Sequence, residues 1–175
     1  MSAMNPPVAI GTYTIDDSLD ADLGKLYDTL DGFYRYVKTS TAIISNAGGK
    51  VLTFAVTLGV PTWVVAESTT ASDAYVAGVV PINTVTTGPS IIATTALAAG
   101  SRFMLKVSGA AVVRANSTVV TPSALTTSGT AGMSQSMTTG VEAAAALTGF
   151  FGFATNTVAA TAASGTITCV LRGIV

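Results

Sequence analysis

The sequence contains no histidine, and it contains a single cysteine, Cys169. Histidine is the commonest general base and metal-ligating side chain, so its absence removes the Ser-His-Asp arrangement and most metal centres. One cysteine without histidine also excludes typical zinc sites and any intrachain disulfide bond. Cys169 lies in the strand-like run TITCVLR, where we interpret it as a small buried apolar residue. These absences predict a protein that is not an enzyme and holds no metal.

Charge is also scarce. Charged residues make up 10% of the 175 residues and hydrophobic residues 49%, whereas about 25% of a typical globular domain is charged. Such a chain buries enough apolar surface to fold rather than stay disordered. Its surface is largely neutral, and neutral surfaces tend to associate. We therefore expect a homo-oligomer or a protein that docks on a partner. The net charge of −1 without a basic patch argues against nucleic acid.

The few acidic residues are concentrated at the front of the chain. The stretch 16-DDSLDADLG-24 differs from a calcium loop, because its glycine comes one residue late and no glutamate ends it. No Walker A loop occurs, and no GxGxxG follows a strand. We interpret this stretch as solvated and expect no cofactor. The six acids that precede residue 32 are Asp16, Asp17, Asp20, Asp22, Asp28 and Asp31.

One uncharged run, 143–171, is long enough to span a membrane, and the mean hydropathy of the chain is +0.59. The run consists mainly of alanine, threonine and glycine and includes Asn156, rather than the leucine-rich core of a spanning helix. No basic clusters flank it. The sequence therefore predicts no membrane segment.

The order of short hydrophobic runs predicts an all-β fold, a small antiparallel barrel or sandwich. Pro6 and Pro7 disfavour helix and predict an extended arm over 1–12. The leucine spacing in 18–30 fits a short helix or a loop. We divide the chain into an arm with an acidic lead-in (1–31) and a β-rich body (32–175), with at most one or two short helices, one of them at 142–147. No tandem repeat of 20–50 residues emerges. The predicted strands are 33–38, 50–56, 62–67, 75–82, 90–97, 101–107, 110–115, 118–125, 149–155 and 166–172.

Three features within these strands are informative. Tyr34 and Tyr36 alternate with Phe33 and Val37, so the two tyrosines share one face. Gly78 in the middle of a strand indicates a bulge or a close backbone approach. The hairpin around Ser108 and Gly109 carries three basic residues with no acid near them in sequence. We expect these residues, Arg102, Lys106 and Arg114, to be solvated or to meet acids of a neighbouring subunit or of a larger assembly.

The aromatic residues allow two interpretations. Trp63, Tyr34, Tyr36 and the phenylalanines of 150–153 could form a shelf that binds sugars. Aromatic residues in β proteins are more often core or interface anchors, which is the interpretation we favour.

Several short motifs, in the same order, resemble tailed-phage capsid decoration proteins, also called cement or head auxiliary proteins. The resemblance covers about residues 30–172, and it departs from the family at Met104, where an aromatic residue is common, and at Lys106, where glutamine is common. The segments that carry it are FYRYVK (33–38), VAGV (76–79), GSRFMLKVSGAAVV (100–113), TTSGTAG (126–132), GFA (152–154) and TITCVL (166–171).

This resemblance implies a non-enzymatic virion protein on the outer surface of the capsid, with the major capsid protein as its partner. It also implies a homo-oligomer, a trimer in preference to a dimer, and no contact with nucleic acid or membrane. A phage tail or head-fibre component and a carbohydrate-binding β module remain the alternatives. The candidate partner contacts are Pro6, Pro7, Tyr34, Tyr36, Trp63, Arg102, Lys106 and Arg114.

Overall fold

The computed structural model describes residues 6–43, 47–57, 60–71, 73–82, 96–137, 149–157 and 165–173, with the backbone alone at 56–57 and 60–61. The regular structure of these residues is almost entirely strand, which confirms the predicted all-β class. A 3-10 helix spans Asp17–Asp22. The strands are β1 (Tyr13–Thr14), β2 (Leu26–Thr29), β3 (Gly32–Thr39), β4 (Val51–Thr57), β5 (Val60–Glu67), β6 (Val76–Val79), β7 (Arg102–Lys106), β8 (Ser108–Ala115), β9 (Ala124–Thr127), β10 (Ser134–Ser136), β11 (Gly152–Ala154) and β12 (Gly165–Arg172).

The first seven strands form one sheet in the order β1-β7-β6-β4-β5-β3-β2. Strand β7 also pairs with β3, from Tyr34 opposite Lys106 to Lys38 opposite Arg102. This pairing closes β3, β5, β4, β6 and β7 into a barrel, which we call the first barrel. Its β3–β5 contact is parallel and its other contacts are antiparallel. Strands β1 and β2 extend the sheet outside the closed ring.

The last five strands close into a second barrel in the order β10-β8-β12-β11-β9. Its β8–β10 contact is parallel and its other contacts are antiparallel. The five strands of each barrel can be counted in chain order, from β3 in the first barrel and from β8 in the second. In both barrels the first of these strands pairs with the third and the fifth, and the second pairs with the third and the fourth. The two barrels thus share one topology. They begin at Gly32 and Ser108, a spacing longer than a tandem repeat of 20–50 residues.

The two barrels have separate cores, but residues of the first barrel also contribute to the core of the second. Val37, Leu52 and Phe103 lie in the core of the first barrel, and Leu125 and Phe151 in that of the second. Along β12 the buried residues alternate with exposed ones, as expected for a strand with one inner face. Three valines of the first barrel pack in the second core. These are Val51, Val76 and Val79, which join the two barrels into one packed body.

Most predicted strands are present, with ends shifted by a few residues. The strand predicted at 118–125 is wrong, because only Ala124–Thr127 is strand, and Pro122 has no N–H to donate to a ladder. The helical alternative for 18–30 is also wrong beyond Asp22: Gly24, with φ of +87°, breaks the chain direction and a strand follows. The strand predicted at 90–97 and the helical turn at 142–147 fall largely or wholly outside the described residues.

Gly78 combines both features that its position in the sequence predicted. The register of β4 against β6 shifts beside it, and a Cβ atom there would lie 2.5 Å from the Lys106 carbonyl oxygen. This close approach allows β6 to meet β7 and complete the first barrel.

We predict that Gly78→Ala destabilises the protein by about 2 kcal/mol or more, because the new methyl group meets backbone that cannot move aside. Gly100→Ala is the matched control: its φ of +81° is also positive, but no atom lies within 4 Å of the new Cβ. It should cost only about 1 kcal/mol of backbone strain. Urea unfolding of both variants checks this, and equal losses would contradict the role given to Gly78.

Candidate interaction site

The acidic lead-in packs against the outer face of the first barrel. Tyr34, Tyr36 and Met104 on this face are buried, together with Val8 and Tyr27 of the lead-in. Ile10, Leu19 and Leu23 pack around them. The backbone is also joined, because Gly24 N–H donates to the Tyr36 carbonyl at 2.8 Å and Tyr36 N–H to the Lys25 carbonyl at 3.1 Å. The two tyrosines do share a face, as predicted, but their own chain covers that face.

The first ionic contact of the lead-in is made by Asp20. The guanidinium of Arg102 donates to both carboxylate oxygens, from Nη2 at 3.0 Å and also from Nε. Its Nη1 donates to the carbonyls of Ile15 and Gly100 at 3.0 and 2.9 Å. Lys38 adds a contact of 3.2 Å to Asp20. The hydrogen bonds from Arg102, helped by Lys38 and opposed by desolvation, lower the pKa of Asp20 to about 2.

The second contact is made by Asp31. Its Oδ2 accepts from Lys106 Nζ at 2.9 Å and from the Tyr34 hydroxyl at 2.8 Å, and its Oδ1 accepts from Thr29 at 2.7 Å. Desolvation raises the pKa of Asp31, but these hydrogen bonds outweigh it and lower the pKa to about 2. Burial and the bond to Asp31 raise the pKa of Tyr34.

These contacts correct the expectation of a solvated basic face. Arg102 and Lys106 are 3% and 6% exposed, and the acids that they meet come from this chain's own lead-in. Arg114 is half-buried and donates from Nε to the Gly48 carbonyl at 2.8 Å. Sequence proximity could not reveal the pairs, because 82 and 75 residues separate their members. A role of these three residues in contacts with a partner stays a prediction.

We predict that the stability contributed by the two pairs depends on pH. Because the folded-state pKa of each carboxyl lies below its ordinary value, the contribution is full above about pH 4 and is lost as the pH falls towards 2. The double variant Asp20→Asn/Asp31→Asn should show a flatter loss over this range than the wild type. Asp17→Asn, which changes an exposed acid outside these pairs, should behave as the wild type. Urea unfolding at pH 2 to 7 measures this, and a double variant as steep as the wild type would refute it.

A cleft of about 320 Å³ lies between the two barrels. One wall carries Asp31, Tyr34 and Lys106, and β8 and β12 form the other. Cys169 also lines it but is only 1% exposed, which confirms its interpretation as a buried apolar residue. Burial raises the pKa of its thiol to about 12. The cleft therefore offers an ion pair, a hydroxyl and apolar walls, but no thiolate nucleophile.

We predict that Cys169 in the folded protein resists thiol reagents, because it is buried and protonated at neutral pH. Labelling with a chromogenic disulfide reagent at pH 8 should be at least a hundredfold slower in buffer than in urea. The chain has no second cysteine, so the signal reports this site alone. Equal rates in the two conditions would show that the second barrel opens readily.

Exposed apolar side chains surround the mouth of the cleft. Ile82 is 39% exposed and Val170 is 48% exposed, and both line the cleft. Phe153 is 53% exposed and lies directly opposite Val170 across the β11–β12 ladder. We call Ile82, Phe153 and Val170 the apolar rim. A rim without charge is suited to burial against another protein surface.

Trp63 lies elsewhere, at the end of the first barrel. Its ring is 40% exposed, packs edge-on to Phe54 at 5.8 Å and covers the guanidinium of Arg35 at 4.8 Å. Arg35 was not singled out from the sequence, although its alternation with Tyr34 and Tyr36 placed it on the inward face. Since both tyrosines are buried, they form no shared sugar shelf with Trp63. Pro6 and Pro7 are half-buried at the start of the described lead-in.

Among the described residues, no group of three or more acidic, cysteine or histidine side chains is arranged to hold a metal ion. A separate search of the same residues found no helix of sufficient length and hydropathy to cross a membrane.

No protein-family model and no curated protein matches the sequence. A search of solved structures found similarity to the head fiber gp8.5 N base of bacteriophage phi29. The two share 13% sequence identity and a TM-score of 0.47, over 79% of this chain and 92% of that chain. Similarity of this extent does not establish common function.

Proposed function

We propose that the chain is a structural protein of a tailed-phage virion that lies on the outer surface of the capsid, contacts the major capsid protein and stabilises the shell. The motif order described above supports this proposal. The observation that carries it is the apolar rim, in which the exposed side chains of Ile82 and Val170 line the inter-barrel cleft and that of Phe153 lies beside Val170. It gives a folded β body a place to attach to another protein.

The distribution of charge agrees with such a role. Five of the eight basic residues form ion pairs within the chain. Exposed charges such as Asp17, Asp28 and Arg172 remain, but the exposed side chains of the rim are apolar. Burying apolar area contributes roughly 25 cal/mol per Å². A protein that binds only the assembled shell stabilises that shell by mass action. We also propose that the chain acts as a homo-oligomer, which would repeat the rim around a symmetry axis and multiply its contacts.

A head-fibre or tail component is the second candidate. The same rim would then attach the base of a fibre. A carbohydrate-binding module is less well supported, because the Tyr34 and Tyr36 rings are buried under the lead-in. In either role we propose that the chain acts without catalysis and without a cofactor.

We predict that Phe153→Asp and Val170→Asp each weaken binding to purified shells of the encoding phage at least tenfold, because each places a charge in a desolvated contact. Ile15→Asp is the matched control, since Ile15 is 73% exposed and lies outside the rim. Co-sedimentation measures the bound fraction, and cryo-EM of the particles distinguishes density lying flat on the shell from the base of a fibre. Failure of the wild-type chain to bind shells, or equal binding by all three variants, would refute the proposal.

A further inference from the structure

Arg35 is a buried cation without an anion. It is 4% exposed, its Nε has no hydrogen-bond partner, and none of the ion pairs among the described residues includes it. Within the described segments, the aromatic rings that its guanidinium contacts are those of Trp63 at 4.8 Å and Phe54 at 6.0 Å. Desolvation lowers the pKa of its guanidinium. A buried charge is normally paired, so this arrangement lacks a carboxylate.

The surface beside Arg35 has the character of an interface centre. Leu26, Phe33 and Trp63 are 40%, 45% and 40% exposed. Tryptophan and arginine are the residues most enriched at such centres. Leu26 lies opposite Arg35 on the β2–β3 ladder, and Phe33 is two residues away on the same face of β3. We call Leu26, Asp28, Phe33, Arg35 and Trp63 the β2–β3 face.

The same face carries an acid without a cation. Asp28 is exposed, and no ion pair among the described residues includes it. It lies opposite Phe33, while Leu26 lies opposite Arg35. Asp28 and Arg35 are therefore diagonal neighbours, whose Cα atoms lie about 7 Å apart in a ladder of this kind. Within one chain they do not bond.

We propose that two copies of the chain associate through the β2–β3 face, so that Asp28 of each copy pairs with Arg35 of the other. A two-fold axis between the two positions makes the face complementary to itself, as in isologous dimers. The Trp63 ring packs over one side of the Arg35 guanidinium, and Arg35 keeps a 4% exposed edge beside it. The carboxylate of the second copy approaches at this edge, and the second copy also covers the ring. The inference deepens the homo-oligomeric part of the proposed function and rests on it, but it does not use the apolar rim.

Asp28 is the residue to change, because it is exposed and unpaired in the single chain and its variants should fold. In Asp28→Lys the new ammonium faces Arg35 of the second copy, so we expect the dimer dissociation constant to rise at least tenfold. Asp17→Lys makes the same change of charge at an exposed acid outside the face, and it should dimerise as the wild type does. Sedimentation equilibrium of the full chain over a dilution series gives the constants.

The fluorescence of Trp63, the one tryptophan of the chain, is a second measurement. Its emission should shift to longer wavelength as the wild type is diluted and the ring becomes exposed, whereas Asp28→Lys should show the exposed emission throughout. A wild type that stays monomeric at every concentration, or an Asp28→Lys variant that associates as tightly as the Asp17→Lys control, would overturn the proposal. Shell binding through Phe153 and Val170 is measured separately, so the two proposals can fail independently.

Discussion

The contact between the lead-in and strand β7 determines how the first barrel is built. The side chains of Arg102 and Lys106 project from the same face of β7. Without counter-ions, each would place an unpaired charge on an apolar surface. Asp20 and Asp31 supply the opposite charges, and the segment between them brings Leu23 and Tyr27 over the tyrosine rings of β3. The cations need the lead-in for their counter-ions, and the tyrosines need it to be covered. The lead-in is therefore part of the folded body over its described residues.

The internal use of charge explains the character of the remaining surface. Five of the eight cations form ion pairs within the chain. Two groups of exposed apolar side chains lie in separate places on the outside. One is the rim around the cleft, which belongs mainly to the second barrel. The other is the β2–β3 face at the end of the first. The two proposals assign one of these surfaces to copies of the chain and the other to a larger assembly, which are the two contacts that a repeated shell component requires.

The sequence predicted the class of fold because the strands carry their own evidence, in alternation, β-branched residues and glycine breaks. It identified the shared face of Tyr34 and Tyr36, the special position of Gly78 and the burial of Cys169, since each depends on local pattern. It missed β1, β2 and β10, which are two to four residues long and largely polar. It also missed the partners of Arg102 and Lys106, because pairing across 75 or more residues leaves no local trace. The burial of the unpaired Arg35 could have been predicted, because the alternation of FYRYVK places this arginine on the inward face of the strand.

Amide hydrogen exchange on the intact chain tests most directly whether the lead-in is part of the folded body. Gly24 and Tyr36 donate two of the backbone bonds that join lead-in and barrel, and Val51 and Arg114 donate bonds that join the two barrels. If the ionic contacts hold the lead-in in place, all four amides should exchange at similar slow rates at pH 7, through global unfolding. Exchange at Gly24 and Tyr36 that is orders of magnitude faster than at Val51 and Arg114 would show a detachable arm and contradict this account.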